Sequence, residues 1–318
     1  MRAAQYPAAT GEIEIVELPD PEPGPGEVLV EVHVSGVNPT DWKGRKRGGG
    51  EFERVIPNQD GAGMIVAAGE GVDAARVGER VWLWEAQWQR DHGTAAELVA
   101  LPSAHAVALP DDVGFDAAAG LGIPAMTAHR CLFAGGASRD VAVLVHGGAG
   151  AVGHAAIQLA VWAGARVAAT VSSAKKAELA RGAGAELVVN YREQDVAAAV
   201  REWAPDGVGR IVEVDLGNLP VDAAVLGDGG GIGAYARGDE PVEIAWDLFT
   251  RNATLDLILV YTMPLAAKRA AIDAIGEALR AGALRPLPFT RFPLEQAQAA
   301  HEAVEAGAVG KVLVDVRA

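Results

Sequence analysis

A chain of 318 residues, half of them hydrophobic, is long enough for two domains with sizeable cores. Its formal charge of −15 argues against a nucleic-acid surface, which needs a basic patch or stripe. Cys131 is the only cysteine, which excludes both an intrachain disulfide and a cysteine-built zinc site.

Residues 2–18 alternate loosely, as in a hairpin turning at Gly11. The corner LPDPEPGPG at 18–26 cannot be helical. Residues 27–34 (EVLVEVHV) alternate strictly and predict a strand with one solvated face. A turn over 36–43 follows, with further short strands within 55–71, 77–83 and 92–101. Their spacing predicts a small, mostly antiparallel β domain. From Asp116 the period changes, and residues 117–133 read as helices interrupted at Pro124. Strands are then expected at 141–145, 166–171, 186–190, 210–215, 231–236 and 254–260, with helix-length segments between them. That alternation predicts parallel pairing with right-handed crossovers. A long helix over 265–281, a strand at Phe289, a helix beginning near Pro293 and a strand over 311–316 close the chain.

The segment VAVLVHGGAGAVG at 141–153 organises the rest. Its apolar, β-branched run reads as a strand buried on both faces. Glycines follow at 147, 148, 150 and 153, and an apolar helix is predicted over 155–163. Gly148, Gly150 and Gly153 have G-x-G-x-x-G spacing, with Ala151 and Val152 between them, and form a candidate pyrophosphate cradle at a helix N-terminus. The run of 141–165 carries no full charge, but its glycines cut it into strand-sized and helix-sized pieces, which excludes a membrane span. A site for an unphosphorylated nicotinamide nucleotide has Asp or Glu at the end of the second strand to take the ribose hydroxyl. Here that place reads TVSSAKK at 170–176, and no acid occurs from 155 to 176. Ser172, Ser173 and Lys176 suit a 2′-phosphate, so NADPH is the expected cofactor.

The segments GVNPTD at 36–41, GTAAELVALP at 93–102, VLVHGGAGAVG at 143–153 and GKVLVDV at 310–316 resemble the zinc-independent, ζ-crystallin-like quinone oxidoreductases of the medium-chain dehydrogenase/reductase superfamily. The resemblance covers essentially the whole chain. It implies an α/β fold: a Rossmann doubly wound parallel sheet over 115–260, and a GroES-like, mostly antiparallel β domain formed by 1–114 and 261–318, with the active site in the cleft. It also implies a homodimer. Lys176 and Tyr191 match positions that hold a 2′-phosphate, and Asn38 and Thr127 match positions near the nicotinamide. Tyr235 ends a strand beside the expected nicotinamide pocket, and Tyr261 ends the next. Zinc-containing cousins place Cys in the turn held here by 36–41 and His-Glu where this chain has Gln59-Asp60. They also carry a four-cysteine lobe that is absent here. No metal is therefore expected, although Asp60 with His92 or His129 could in principle hold one.

The implied chemistry is hydride transfer to a quinone or similar conjugated acceptor, whose developing negative charge needs placed donors. Asn38, Tyr235 and Tyr261 can donate, and Lys43 or Arg45 can add charge at the rim. Asp41 is expected to orient neighbours rather than act as an acid. Trp88, in a loop, can stack on a flat acceptor. Reduction of a C=C bond in an enone or enoyl thioester stays open as an alternative, as does a non-catalytic, NADPH-binding structural or sensing role. Residues 1–10 lack a basic start followed by an apolar core, so the expectation is a cytoplasmic protein, with no nucleic-acid or membrane partner.

Overall fold

The computed structural model describes residues 1–48, 50–136, 141–238 and 241–317. In chain order the elements are β1 (Arg2–Pro7), β2 (Glu14–Glu17), β3 (Glu27–Val37), α1 (Pro39–Lys46), β4 (Arg54–Val55), β5 (Asp60–Ala68), β6 (Arg80–Leu83), β7 (Leu98–Pro102) and β8 (Ala106–Ala108). Then come α2 (Phe115–Ala118), α3 (Gly122–Phe133), β9 (Ala142–Val145), α4 (Ala151–Trp162), β10 (Arg166–Val171), α5 (Ala174–Ala183), β11 (Leu187–Asn190), α6 (Val196–Trp203) and β12 (Val208–Glu213). The rest are α7 (Leu219–Val225), β13 (Leu226–Ala234), α8 (Trp246–Thr250), β14 (Thr254–Leu257), α9 (Leu265–Arg280), β15 (Phe289–Pro293), α10 (Ala297–Glu305) and β16 (Lys311–Asp315).

The chain divides into two compact units, Met1–Ile123 with Pro286–Ala318, and Pro124–Arg285. The pattern changes at 114/115 and 260/261 therefore fall short of both crossings. Helix α2 stays with the first unit and α9 with the second.

The first unit holds a sheet in the order β15-β16-β3-β5-β6-β8, with β7 also on β3, and a smaller sheet β2-β1-β4. Pairing is antiparallel except between β15 and β16. Along β3, Val28, Val30 and Val32 are fully buried while Leu29 and Glu31 are not, as the strict alternation requires. Two expectations need correction here. The GVNPTD segment turns into helix α1 rather than remaining a turn: Asn38 is the N-cap, Pro39 opens the helix and Asp41 reaches back to the Asn38 N–H. Of the segment 92–101, only Leu98 onward pairs as strand.

The second unit carries a parallel sheet in the order β11-β10-β9-β12-β13-β14. The order reverses between β9 and β12, which is the switch point of a doubly wound sheet. Leu144, Ile211, Leu219 and Ile232 pack its core. Pro124 lies in the first turn of α3, where its missing N–H has no helical partner to lose, so it does not interrupt the helix. Strand β14 ends at Leu257, short of the expected residue 260, and Tyr261 sits in a 3₁₀ turn, Val260–Thr262. Among the described residues, no helix is long and apolar enough to cross a membrane.

Candidate active site

The glycine loop joins β9 to α4. Gly147 takes φ +68°, a left-handed conformation that favours glycine. A Cβ at Gly153 would stand 2.3 Å from the Gly147 carbonyl oxygen, and one at Gly148 would stand 2.8 Å from the Ala169 Cβ. The loop's own N–H groups are partly spent internally. Gly147 N donates to Thr170 Oγ1 (3.3 Å), Gly148 N to the Thr170 carbonyl (2.9 Å) and Gly150 N to the Gly147 carbonyl (2.9 Å). Gly150, the N-cap of α4, offers no side chain. The N–H groups of Ala151, Val152 and Gly153 form the first helical turn and have no helical acceptor, so they present positive ends at the switch point. Close glycine packing and open donors together fit a pyrophosphate.

At the end of β10, Ser173 caps α5 by accepting from Lys176 N, and Lys176 Nζ donates to Ser172 Oγ (3.1 Å). Tyr191 follows β11, donates its backbone N–H to the Val171 carbonyl and exposes its side chain. Three of the expected phosphate-binding residues thus lie together, with Tyr191 on the neighbouring strand end.

Beneath the loop lies a buried network that the sequence reading missed. His146 Nδ1 meets Thr170 Oγ1 (3.1 Å), and its Nε2 meets Asp222 Oδ1 (3.0 Å) and Glu213 Oε2 (3.4 Å). Glu213 Oε1 accepts from Asp215 N and from Asn218 Nδ2. Burial pushes Glu213 up to about 7, opposed by the His146 charge. Burial alone would lower His146, but the Asp222 hydrogen bond and the two carboxylate charges raise it instead. His146, Glu213 and Asp222 bring one ligand-type atom each within 4.8 Å of one another, the only such His/Cys/Asp/Glu group among the described residues. Among the described residues, no such group forms around Asp60. The one sequence signal for the network was a histidine directly after a buried strand.

In the first unit, Asn38 is buried. Its Nδ2 donates to Asp60 Oδ2 (2.7 Å) and its Oδ1 accepts from Lys311 Nζ (2.7 Å). Asp41 accepts from Asn38 N (2.6 Å) and Gln59 N (3.2 Å). Burial, with the Asp60 charge adding to it, pushes Asp41 up to about 8. Burial pushes Asp60 up to about 6, against the pull of Lys311.

In the same unit, Tyr6, Thr40, Arg47, Phe52, Gln87 and Trp88 line a cavity of about 730 Å³. Among the cations of the run KGRKR at 43–47, Arg47 lines this wall rather than Lys43 or Arg45. Lys43 is exposed beside the Trp42 ring, and Arg45 is buried with its guanidinium on the Gly11 carbonyl. Trp88 sits between Glu85 (φ +50°) and Gln89 (φ +57°), two non-glycine residues in the left-handed region. Gln87 beside it is pinned by a reciprocal amide pair with Gln59.

The remaining expected residues, Thr127, Tyr235 and Tyr261, belong to the second unit. Thr127 and Tyr261 are buried, and Tyr235 directly follows β13, its phenol held well above the ordinary range by burial.

A two-unit chain with an open glycine loop at a parallel switch point and an antiparallel partner unit built from both chain ends defines a nucleotide-dependent reductase of the medium-chain type. The comparisons agree. Residues 24–111 match the model of the alcohol dehydrogenase GroES-like domain, and residues 151–264 match that of the zinc-binding dehydrogenases. The quinone oxidoreductase of Lama guanicoe is 31% identical over 306 residues, 92% of this chain and 90% of that protein. The quinone oxidoreductase of Thermus thermophilus, solved also in complex with NADPH, superposes with a TM-score of 0.81 at 27% identity, covering 99% of this chain and 100% of that one. A 2-haloacrylate reductase superposes with a TM-score of 0.82 at 25% identity, each chain fully covered. The chain belongs to the quinone oxidoreductase family of the medium-chain dehydrogenase/reductase superfamily.

Proposed function

We propose that this chain is a zinc-independent reductase that uses NADPH to deliver a hydride to a quinone or similar conjugated carbonyl acceptor. The observation that carries the reading is the Ser172–Lys176 pair at the end of β10, where no carboxylate stands to receive a free ribose hydroxyl. When bound, NADPH would supply the hydride. Gly148, Gly150, Ala151, Val152 and Gly153 would hold its pyrophosphate, and Ser172, Ser173, Lys176 and Tyr191 its 2′-phosphate.

Zinc independence rests on side-chain chemistry. Asn38 stands in the turn where zinc-containing cousins place cysteine, and Gln59-Asp60 stand where they have His-Glu. Charge developing on the acceptor then needs organic donors. Asn38 keeps one amide N–H beyond its bond to Asp60. Tyr235 and Tyr261 carry phenols that can donate, and Asp41 orients Asn38. Thr127 is assigned to the nicotinamide end. Trp88 gives the cavity of the first unit a flat wall for an aromatic acceptor. A hydroquinone anion can take its proton from water, so no strict general acid is required.

The chain is read as a cytoplasmic homodimer. Strand β14 is the outer edge of its sheet and exposes Leu255 and Leu257, with Phe249 of α8 nearby around an apolar hollow. An unpaired, apolar edge of this kind is a pairing surface. The likeness to a 2-haloacrylate reductase supports a second reading, reduction of an activated C=C bond.

Steady NADPH oxidation with a simple naphthoquinone, an enone and an enoyl-CoA separates the readings. The quinone is expected to turn over fastest. Preference for the enone or thioester transfers the assignment to C=C reduction. Binding of NADPH without turnover of any acceptor removes the enzyme reading.

A further inference from the structure

Lys311 is a lysine inside a sheet. It begins β16 and is 5% exposed, and burial lowers its proton affinity against the pull of Asp60 and Asp41. Burying an ammonium is costly, and a chain does it where the charge has a partner and a use. The room for it is built. A Cβ at Gly36 would stand 1.9 Å from the Ala119 carbonyl oxygen and 3.3 Å from Lys311 Cε, while one at Gly120 would make ordinary contact with Lys311 Cγ at 3.6 Å. Only the Gly36 position presses on the stem. Gly122 likewise clears Asp60, whose Oδ1 its Cβ would meet at 2.2 Å.

The ammonium and the Asp60 carboxylate hold the two ends of one amide. Lys311 Nζ donates to Asn38 Oδ1, and Asn38 Nδ2 donates to Asp60 Oδ2, both at 2.7 Å. Asp60 is fixed in turn, because its Oδ1 accepts from Ile123 N at 2.8 Å. An ammonium can only donate and an ionised carboxylate can only accept. Rotating the amide by 180° would set NH₂ against NH₃⁺ and oxygen against oxygen. The charges therefore admit one orientation.

We propose that Lys311 and Asp60 are positioning residues that lock the Asn38 carboxamide, so that its remaining N–H is presented for the reaction. The inference rests on the assignment of Asn38 to the reacting end. It adds two residues, one of them 273 positions away in sequence, that decide which end of Asn38 is offered.

The test compares Asn38→Ala, Lys311→Met and the double variant, with naphthoquinone turnover and NADPH binding read separately. Loss of a hydrogen bond to a charged group supports a drop in kcat of about tenfold or more for each single variant, with the NADPH Kd nearly unchanged. The double variant should be no slower than Asn38→Ala alone, because the lock acts only through the amide. If Asn38→Ala keeps full kcat, the assignment of Asn38 fails. If Asn38→Ala is slow but Lys311→Met is not, or if the two losses add, the lock fails and the assignment stands. Asp60→Asn/Lys311→Met removes both charges and covers the case in which an unpaired Asp60 unfolds the single variant. It should be folded and as slow as Asn38→Ala, and a wild-type kcat would overturn the lock.

Discussion

Lys176 Nζ and Ser172 Oγ, four positions apart across the start of α5, meet at 3.1 Å. The helix cap at Ser173 fixes both, since the capped turn brings position 176 back over position 172. The lysine is thereby pre-ordered and half-buried rather than waving in solvent. Lys176→Ala should weaken NADPH binding about tenfold or more, the scale of one charge-assisted hydrogen bond, and leave NADH binding unchanged. Fluorescence titration of both nucleotides checks this. Equal losses for the two would mean that Lys176 does not meet the 2′-phosphate.

Gly153→Ala should damage the loop without touching the core strands. Its Cβ would fall 2.3 Å from the Gly147 carbonyl oxygen, a backbone atom that cannot swing aside. Relief requires the loop to part from α4, at about 1–3 kcal/mol. A lowered thermal midpoint, together with NADPH affinity reduced at least as far as that cost implies, is the expected outcome.

Stability should fall as the medium becomes alkaline, and Glu213 should be one source. Its pKa stands at about 7 in the fold against 4.5 unperturbed, because burial disfavours its charge. The folded state holds this proton more tightly than the unfolded chain does. The stabilisation is complete below about 4.5 and is lost as pH rises through about 7. His146 acts in the same sense, since its raised pKa makes the imidazolium stabilising only up to that value. Glu213→Gln, which keeps the acceptor for Asp215 N, should flatten the thermal midpoint between about pH 5 and 8 relative to the wild type. Parallel pH curves for the two proteins would contradict it.

Leu257→Arg tests the proposed dimer and should yield a monomer. The residue is 71% exposed on the outermost strand of the parallel sheet, so the change costs the isolated chain little. A charge placed on an open sheet edge is a strong deterrent to pairing. Light scattering after gel filtration reads the outcome, and NADPH affinity serves as the control for folding.

The second unit was the more legible half of the chain, for a physical reason. Parallel strands buried on both faces are continuous apolar runs, and their helices carry caps such as Ser173, so the predicted 166–171 strand coincides with β10. The 36–41 segment carries a helix-start signal, Asn-Pro-x-Asp, which a turn shares because both favour Asn and Pro; the Asp41 bond to Asn38 N decides for the helix. Strand β14 stops early because residues 258–262 turn at Val260, which apolar composition alone does not reveal. The polar clusters were the least legible. The Asn38–Asp60–Lys311 and His146–Glu213–Asp222 groups each join residues from distant parts of the chain, and no local spacing encodes such meetings. Arg45 illustrates the converse. A short basic run reads as solvated, yet one of its members ends on the Gly11 carbonyl, buried.

The position of β16 in the larger sheet bears on how the molecule is made. It pairs with β3 through Val312↔Val37 and Leu313↔Gly36, and it also pairs with β15. Every residue of Pro124–Arg285 is synthesised before that strand exists, while β3 waits with one edge open. The inserted unit can begin to mature during translation, whereas the unit built from both flanking segments closes only once β16 has been made. Premature termination just ahead of Lys311 would thus yield a chain able to grip its nucleotide yet left with an unfilled seam in the sheet that carries Asn38.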